Sequence, residues 1–362
     1  MDEVLHAIVE QNLEVYRHAP SRLQEDVSQE AQVADDYRGR LVYELLQNAD
    51  DAMAGHQRDD DRIRFVVTDE EVWVANTGRP LDDRDVQGLC GLGASSKTDS
   101  TGKRRASIGH KGLGFKSVLE ITNGPEAYST SVAFRLGQDH ARPLIEEQCR
   151  DLGRPLPRHV PAMRFPIGIG DLPPAWGELS GDGFHTAFRF PFSSRVTTAQ
   201  RLTLADSLLD LPLTTVLFLK HLEEVTVEVR QVGRELSRTW LVGRQQRVDD
   251  HWAPCTGLHQ SGVYRVDIAA DDGAEGSFVI AHDADVEIGE HRSGLSGPAW
   301  DGVELTEVSV AVPDDRPAAD VPSEWRRFHV FLPTQEPSTY PLLVNGAFSP
   351  DLSRQRVRVS DD

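Results

Sequence analysis

The sequence predicts a mixed α/β protein in which helices cover a layer of strands, and three observations carry that prediction. Apolar residues recur at helical spacing near the N-terminus and again before residue 54. Apolar and polar side chains alternate in short stretches that are typical of strands with one buried face. The chain of 362 residues, 39% of them hydrophobic, is long enough for about two domains with sizeable cores.

Two helices and a hairpin are expected in order from the N-terminus. Valine, leucine and isoleucine side chains share one face of a helix over residues 2–16, and a second amphipathic helix is predicted over residues 36–53. Residues 63–67 and 72–74 then alternate around an acidic turn. They predict a β-hairpin that ends at Asn76.

The middle of the chain is predicted to be less regular. Residues 82–114 are rich in glycine and charge and are expected to form a loop with one short helix, after which a helix begins at Gly114. Residues 128–136 and 184–190 alternate again and are predicted as strands. The proline- and glycine-rich residues 142–183 are expected to form an elaborated loop.

The second half is predicted to start after a domain boundary near residues 193–198, with a helix that begins near Ala199. A strand-like stretch close to the C-terminus, at residues 357–359, leaves open that the chain is part of a longer protein. Between these points the pattern predicts strands at residues 225–229, 263–268, 278–280, 303–312 and 328–332.

Composition restricts the class of partner. The chain carries 38 basic and 58 acidic residues, and the resulting net charge of -20 disfavours non-specific binding to nucleic acid or anionic lipid. No apolar run approaches the ~18 residues of a membrane span and the N-terminus lacks the features of a signal peptide, so we expect a cytoplasmic protein. The cysteines, Cys90, Cys149 and Cys255, are far apart, so reduced thiols and no structural zinc are expected.

One stretch reverses the overall charge and concentrates glycine. Residues 108–117, IGHKGLGFKS, contain Gly109, Gly112 and Gly114, within a segment rich in lysine and arginine. The pattern is not a P-loop, because Phe115 interrupts the glycine–lysine step and no buried strand precedes it. Glycines before a helix N-terminus still permit close backbone approach to an anion, although a solvated surface loop would show the same charge.

A second candidate site lies on the predicted helix, in the sequence ELLQNADDA. Glu44, Asn48 and Asp51 fall within a ~60° arc beside a wide apolar face. The arc holds a carboxylate and an amide at the edge of the core, where the carboxylate can orient a water and the amide oxygen can coordinate Mg²⁺. A plain solvent-facing polar stripe is the alternative for this helix taken alone.

Together these segments resemble the ATP site of the GHKL superfamily, which comprises gyrase, heat-shock chaperones, histidine kinases and MutL. The blocks that carry the resemblance are ELLQNADDA from Glu44, NTGRPL from Asn76, GASSKT from Gly93 and IGHKGLGFKSVLEIT from Ile108. They are most similar to the sacsin-like N-terminal ATPase module. The resemblance implies an α+β fold of Bergerat type over residues 1–195, a two-layer sandwich of helices on a mixed, mostly antiparallel sheet. It also implies a second, transducer-like α/β domain over residues 196–362, open to continuation into a further C-terminal region.

By position, the resemblance assigns Glu44 as the general base that activates water and Asn48 as the ligand of Mg²⁺. Asp51 would lie near the nucleotide, and Lys97 with the backbone of residues 109–114 would hold the phosphates of ATP. The implied nucleotide contacts are Asn48, Asp51, Asn76, Gly78, Ser96, Lys97, Thr98, Gly109, His110, Lys111, Gly112, Leu113, Gly114, Phe115 and Thr186.

Two positions depart from the family pattern, and one further role is open. The family commonly has Asp where this chain has Asn76, and a second glycine where it has Pro80. Asn offers an acceptor and two donors, so adenine can still bind but discrimination against guanine is expected to be weaker. In related chaperones a basic residue of the second domain reaches the γ-phosphate. Arg354 is the candidate here, with Arg356 and Arg358 as alternatives.

The resemblance implies an ATP-hydrolysing switch, in which a lid over residues 95–111 closes and the second domain moves, in a chaperone-like, assembly or antiphage-defence protein. A nucleotide-binding module that does not hydrolyse ATP is the alternative for which Asn76 and Pro80 leave room, whereas Glu44 favours hydrolysis. A DNA clamp like MutL or MORC proteins would use the same ATP site, and the net charge argues against it. Homodimerisation on ATP binding is common in the superfamily and stays open here, as does the identity of any protein client or partner subunit.

Overall fold

The computed structural model describes residues 2–36, 39–54, 60–91, 114–288 and 304–346. In this part of the chain, seven α-helices and three short 3₁₀ segments accompany fifteen strands, which form one large mixed sheet. This architecture agrees with the predicted mixed α/β protein and is consistent with an α+β fold.

Most helices belong to the first half of the chain. They are α1 (Asp2–His18), α2 (Ser21–Asp36), α3 (Leu41–Met53), α4 (Asp83–Cys90), α5 (Gln138–Asp151), α6 (Pro174–Gly181) and α7 (Thr198–Leu209). The 3₁₀ segments are Gly114–Glu120, Leu213–Thr215 and Ala318–Asp320.

The strands divide between the two halves at β6 and β7. Those of the first half are β1 (Arg62–Thr68), β2 (Glu71–Asn76), β3 (Glu126–Ser129), β4 (Ala133–Arg135), β5 (Ile167–Gly168) and β6 (Thr186–Pro191). Those of the second half are β7 (Glu224–Gln231), β8 (Arg234–Val248), β9 (His251–Pro254), β10 (Gly262–Ala270), β11 (Glu275–Glu287), β12 (Leu305–Pro313), β13 (Arg327–Val330), β14 (Leu332–Pro337) and β15 (Leu343–Gly346).

Strands β1 and β7 join the two halves. The order across the sheet is β14-β13-β15-β12-β11-β10-β8-β7-β1-β2-β6-β3-β4-β5, and β9 pairs with β8. Strand β1 pairs antiparallel with β2 and parallel with β7, with Arg62 opposite Glu224. The sheet therefore runs without a break through both halves, and the boundary predicted near residues 193–198 falls in the connection between β6 and α7.

Helices cover one face of the first half of the sheet, and a second, smaller core lies on the other face. Leu46 and Met53 of α3 pack in the main core with the inward side chains of β1, such as Phe65. On the opposite face, α6 covers an aromatic cluster in which the rings of Trp73 and Tyr128 are 5.3 Å apart. Helix α3 is thus fixed against the sheet, so the polar side chains at the border of its apolar face are held in defined positions.

The helix predicted over residues 2–16 and the hairpin that ends at Asn76 are confirmed as α1 and β1–β2. The prediction of one helix over residues 36–53 is wrong at its start. Helix α3 begins at Leu41, because Gly39 has a φ of +74°, a left-handed conformation that interrupts a right-handed helix.

Other elements were not anticipated by the apolar pattern. Helix α2 has Asp26 and Glu30 among its buried positions, so its inner face does not look apolar. The loop predicted over residues 142–183 is wrong in part, because α5 and α6 occupy its ends. Pro174 stands in the first turn of α6, where a missing amide proton is tolerated, so proline does not mark a loop there. The single stretch predicted at residues 128–136 is the hairpin β3–β4.

No helix in the described ranges has both the length and the apolar character that crossing a bilayer requires.

Candidate functional site

Helix α3 presents the predicted polar arc at the edge of the main core. Its apolar side packs under the sheet, and Glu44 is 2% exposed although it carries a carboxylate. Asn48 and Asp51, one and two turns further on, are partly exposed. The arc therefore runs from a deeply buried carboxylate to side chains that solvent can reach, as expected for the wall of a cleft.

The Glu44 carboxylate lies directly against the backbone of Gly114. A Cβ atom added to Gly114 would stand 1.8 Å from Glu44 Oε2 and 2.5 Å from its Cδ. No side chain fits at this position while the carboxylate keeps its place. The requirement for glycine here therefore comes from the close approach of Gly114 to the acid of α3.

The other end of α3 meets the turn that follows β2. A Cβ atom on Gly78 would stand 2.7 Å from the carbonyl carbon of Ala52, and the Arg79 amide donates to the Ala52 carbonyl over 2.8 Å. Asn76 Oδ1 accepts a hydrogen bond of 3.1 Å from the Gly78 amide, which closes the turn. The bidentate ion pair between Arg79 and Asp85 then fixes the turn to α4.

Strand pairing brings Asn76 and Thr186 together. Asn76 of β2 is directly opposite Thr186 of β6, and Ser129 of β3 is opposite Thr186 on the other side. The hydroxyls of Ser129 and Thr186 are 3.4 Å apart, and both side chains are buried. Ser129 was not among the predicted site residues, and no local pattern marks it, because its position depends on the order of the strands.

These contacts define an elongated site along α3. Glu44 and Ala52 are eight residues apart, which corresponds to about 12 Å along a helix axis. Gly114 touches the helix at the first point and Gly78 at the second, and Asn48 lies midway. The structure thus brings the predicted Glu44, Asn48, Asn76 and Gly114 to one side of a single helix.

Asp50 of the same helix has a different role, which the sequence did not reveal. It is buried, and its carboxylate accepts hydrogen bonds from the backbone amides of Lys220, His221 and Leu222 over 2.8 to 3.1 Å. Asp50 therefore fastens the C-terminal half of α3 to the segment that leads into β7. Burial next to this segment lowers the pKa of His221, and nearby Asp50 opposes that shift.

Phe115 takes a place in the main core. Its ring centroid is 4.9 Å from that of Phe188 and 6.0 Å from that of Phe190, and its side chain is buried. Nine predicted residues lie outside the described ranges: Ser96, Lys97, Thr98, Gly109, His110, Lys111, Gly112, Leu113 and Arg354.

A buried polar network lies beneath the site, where α1, α2 and α4 meet. Asp26 accepts hydrogen bonds from Arg164 over 2.8 and 3.0 Å and from the Tyr16 hydroxyl over 2.7 Å. Glu30 accepts from the Ala162 and Met163 amides over 2.7 and 3.0 Å. Burial raises the pKa of Glu30, and these amides work against that shift.

The donor set at the site suits a hard cation with a nucleotide. Asn48 supplies an amide oxygen at the edge of a buried carboxylate, and Mg²⁺ prefers oxygen ligands of this kind. The described residues contain no group of three or more His, Cys, Asp or Glu side chains placed to hold a metal on their own.

Comparisons with known proteins add a distant similarity. No family model matches the sequence. The chain is 28% identical over 163 residues to the protein NO VEIN of Arabidopsis thaliana, an alignment that covers 45% of this chain. It covers 5% of NO VEIN, so the chain corresponds to a small part of that protein. The match is distant and partial.

Proposed function

We propose that this chain binds Mg²⁺-ATP along α3 and hydrolyses it. The observation that carries the proposal is the arrangement of two glycine contacts on one helix. Gly114 meets the helix at the Glu44 carboxylate and Gly78 meets it at Ala52, with Asn48 between them. Three blocks of sequence that lie far apart in the chain thus meet along one helix.

In this proposal Glu44 is the general base. Its carboxylate accepts a proton from a water molecule as the water oxygen bonds to the γ-phosphorus of ATP and the bond from that phosphorus to the bridging oxygen of ADP breaks. Burial favours this role, because a carboxylate that is shielded from bulk water interacts more strongly with a proton donor. The bare Cα of Gly114 leaves the space that the carboxylate itself occupies, and any side chain there would displace it.

Asn48 is proposed to hold Mg²⁺ through its amide oxygen. When bound, the cation neutralises charge on the phosphates of ATP. Asn48 is one helical turn from Glu44 and is partly exposed, so its side chain can reach a ligand in the cleft. Asp51, a further turn along, is proposed to lie near the nucleotide.

The base of the nucleotide is assigned to the other end of α3, near Asn76 and Thr186. Asn76 Oδ1 already accepts from the Gly78 amide, and the Asn76 side chain also carries two donors on Nδ2. Those donors match the carbonyl of guanine as well as ring nitrogens of adenine. We therefore expect less than about a hundredfold preference for ATP over GTP in competitive titration, and a larger preference would contradict this assignment.

The Bergerat-type sandwich and the switch belong to the same proposal. The helix-covered mixed sheet of the first half supports such a sandwich, and the distant similarity to NO VEIN agrees with a sacsin-like module.

Arg354 is proposed to sense the γ-phosphate. Replacing it by Ala should lower turnover and leave nucleotide affinity nearly unchanged, and unchanged turnover would remove Arg354 from the site.

The test is steady-state phosphate release from Mg²⁺-ATP by the wild-type chain and by Glu44→Gln, with nucleotide binding measured in both. The substitution keeps the size of the side chain and removes the base, so turnover should fall by about a hundredfold or more while binding persists. Glu70→Gln, at an exposed position in the β1–β2 turn, is the matched control and should hydrolyse ATP normally. Equal turnover by wild type and Glu44→Gln would refute the assignment of the base.

A binding module without hydrolysis is the second candidate, for which the departures from the family pattern at Asn76 and Pro80 leave room. In that case the wild type binds ATP but releases no phosphate, and Glu44→Gln changes neither property.

A further inference from the structure

Lys116 is a buried charged side chain that the proposed mechanism does not use. It follows Phe115 in the 3₁₀ segment, and its side chain is 0% exposed. Its Nζ atom donates a hydrogen bond of 2.6 Å to the carbonyl of Gly91, the residue that ends α4. This contact ties the end of α4 to the segment that begins with Gly114.

Charged and titratable groups of α2, of α4 and of the segment that precedes β5 act on the Lys116 ammonium. Glu30 and Asp26 of α2 favour the charged form, whereas Arg164 opposes it. Burial is the largest influence and lowers the pKa of Lys116 to about 8. Burial likewise raises the pKa of the Cys90 thiol to about 12, so Cys90 is a neutral neighbour near pH 7.

A buried lysine and a partly buried arginine meet the C-terminal carbonyls of α4. Lys116 donates to Gly91, and Arg164 Nη1 donates to the Cys90 carbonyl over 3.3 Å. The last carbonyls of a helix have no partner within it and carry partial negative charge, so positive groups there are stabilising. Burying an ammonium is nevertheless costly, and here the hydrogen bond to Gly91 and the attraction of Glu30 oppose that cost.

We propose that the Lys116 ammonium is a positioning group, which holds Gly91 to the 3₁₀ segment and thereby keeps Gly114 against the Glu44 carboxylate. The inference rests on the proposed ATP hydrolysis at Glu44 and extends it. Loss of the positive charge removes the attraction to Glu30 and weakens the hydrogen bond to Gly91. The 3₁₀ segment then loses its tie to α4, and the contact between Gly114 and Glu44 loosens.

The experiment measures kcat and KM for Mg²⁺-ATP between pH 7 and pH 9.5 in wild type, Lys116→Met and Lys116→Arg. Wild-type kcat should fall by roughly tenfold as Lys116 loses its proton, because small misplacements at a reacting centre are costly. Lys116→Met should have the lower kcat at pH 7 and a flat profile, so that its kcat and that of wild type converge at pH 9.5. Lys116→Arg stays charged and should keep its kcat at pH 9.5. Lys220→Met removes the lysine that pairs with Glu307 and should keep the wild-type profile.

Each outcome decides one part of the inference. A Met variant with the kcat and pH profile of wild type overturns the positioning role, even if its stability changes. If the Met variant does not fold, the comparison of wild type with the Arg variant tests the positioning role. An equal fall of kcat between pH 7 and pH 9.5 in these two proteins overturns that role. Absence of hydrolysis in wild type at every pH counts against the proposed function, and Mg²⁺-ATP affinity then replaces kcat in the same comparison. Absence of ATP binding by wild type overturns both.

Discussion

Substituting Gly114 by alanine tests the geometry of the proposed site at its tightest contact. The new Cβ would stand 1.8 Å from Glu44 Oε2, whereas real Cβ atoms essentially never approach another atom more closely than 3.0 Å. The carboxylate or the backbone must therefore withdraw by about 1.2 Å or more. Because the carboxylate is the far end of a flexible side chain, we expect Glu44 to move first.

The expected consequence is a loss of turnover that exceeds the loss of stability. A displacement of about 1 Å at a reacting group can cost on the order of a hundredfold in rate, whereas overpacking a buried site typically costs about 1–3 kcal/mol. We therefore expect Gly114→Ala to fold, to bind Mg²⁺-ATP, and to release phosphate about a hundredfold more slowly than wild type. Phosphate release, nucleotide titration and urea unfolding measure the three properties.

Two controls separate this reasoning from a general loss of structure. Gly88→Ala, inside α4, places its Cβ in open space and should leave turnover unchanged. In a Glu44→Gln background the base is already missing, so adding Gly114→Ala should lower turnover little further. Wild-type turnover in Gly114→Ala, or a full additional hundredfold loss in the double variant, would refute the claim that the two residues act through one contact.

Three further predictions concern stability. Burial lowers the pKa of His329 to about 3, so below pH 6.5 the unfolded chain takes up a proton that the folded chain does not. Between pH 7 and pH 5 the wild type should therefore lose about 2 kcal/mol more of its unfolding free energy than His329→Phe, and equal losses in urea unfolding would contradict this. Gly78→Ala forces a Cβ against the Ala52 backbone and should destabilise by about 1–3 kcal/mol, whereas Gly177→Ala meets open space and should not. Asp50→Ala removes the acceptor of three backbone amides and should lower the free energy of unfolding by at least about 3 kcal/mol. A loss below about 1 kcal/mol would show that water replaces the carboxylate.

The polar arc of α3 could be predicted from the sequence because helical periodicity fixes the directions of side chains. Glu44, Asn48 and Asp51 needed no knowledge of the rest of the fold. Asp50 belongs to the same stretch but points about a third of a turn away from the arc, and its partners are backbone amides. Any residue type can supply a backbone amide, so the sequence pattern does not indicate such a partner. A distant contact of this kind could therefore not be predicted.

The pairing of Asn76 with Thr186 could not be predicted from either stretch, because it depends on β6 entering the sheet beside β2. The network around Glu30 escaped prediction for another reason. A pattern of apolar and polar residues assigns polar side chains to solvent, and α2 buries two carboxylates that are satisfied by an arginine, a tyrosine and backbone amides. The local pattern therefore finds elements with apolar faces and misses those whose buried faces are polar.

Helix α3 is fastened to the second half of the chain at both ends. At its start, Arg40 Nη1 donates to the Pro333 carbonyl of β14 over 3.2 Å, and near its end Asp50 holds residues 220–222 ahead of β7. Strand β7 in turn pairs with β1 of the first half. In the proposed switch, a movement of the segments at Gly78 or Gly114 would displace α3. The contacts of Arg40 and Asp50, both of which are charge-assisted, would then pass that displacement to the second half of the chain. The connection near residues 193–198 would not be needed for that coupling, because packed elements transmit a displacement that a loop absorbs.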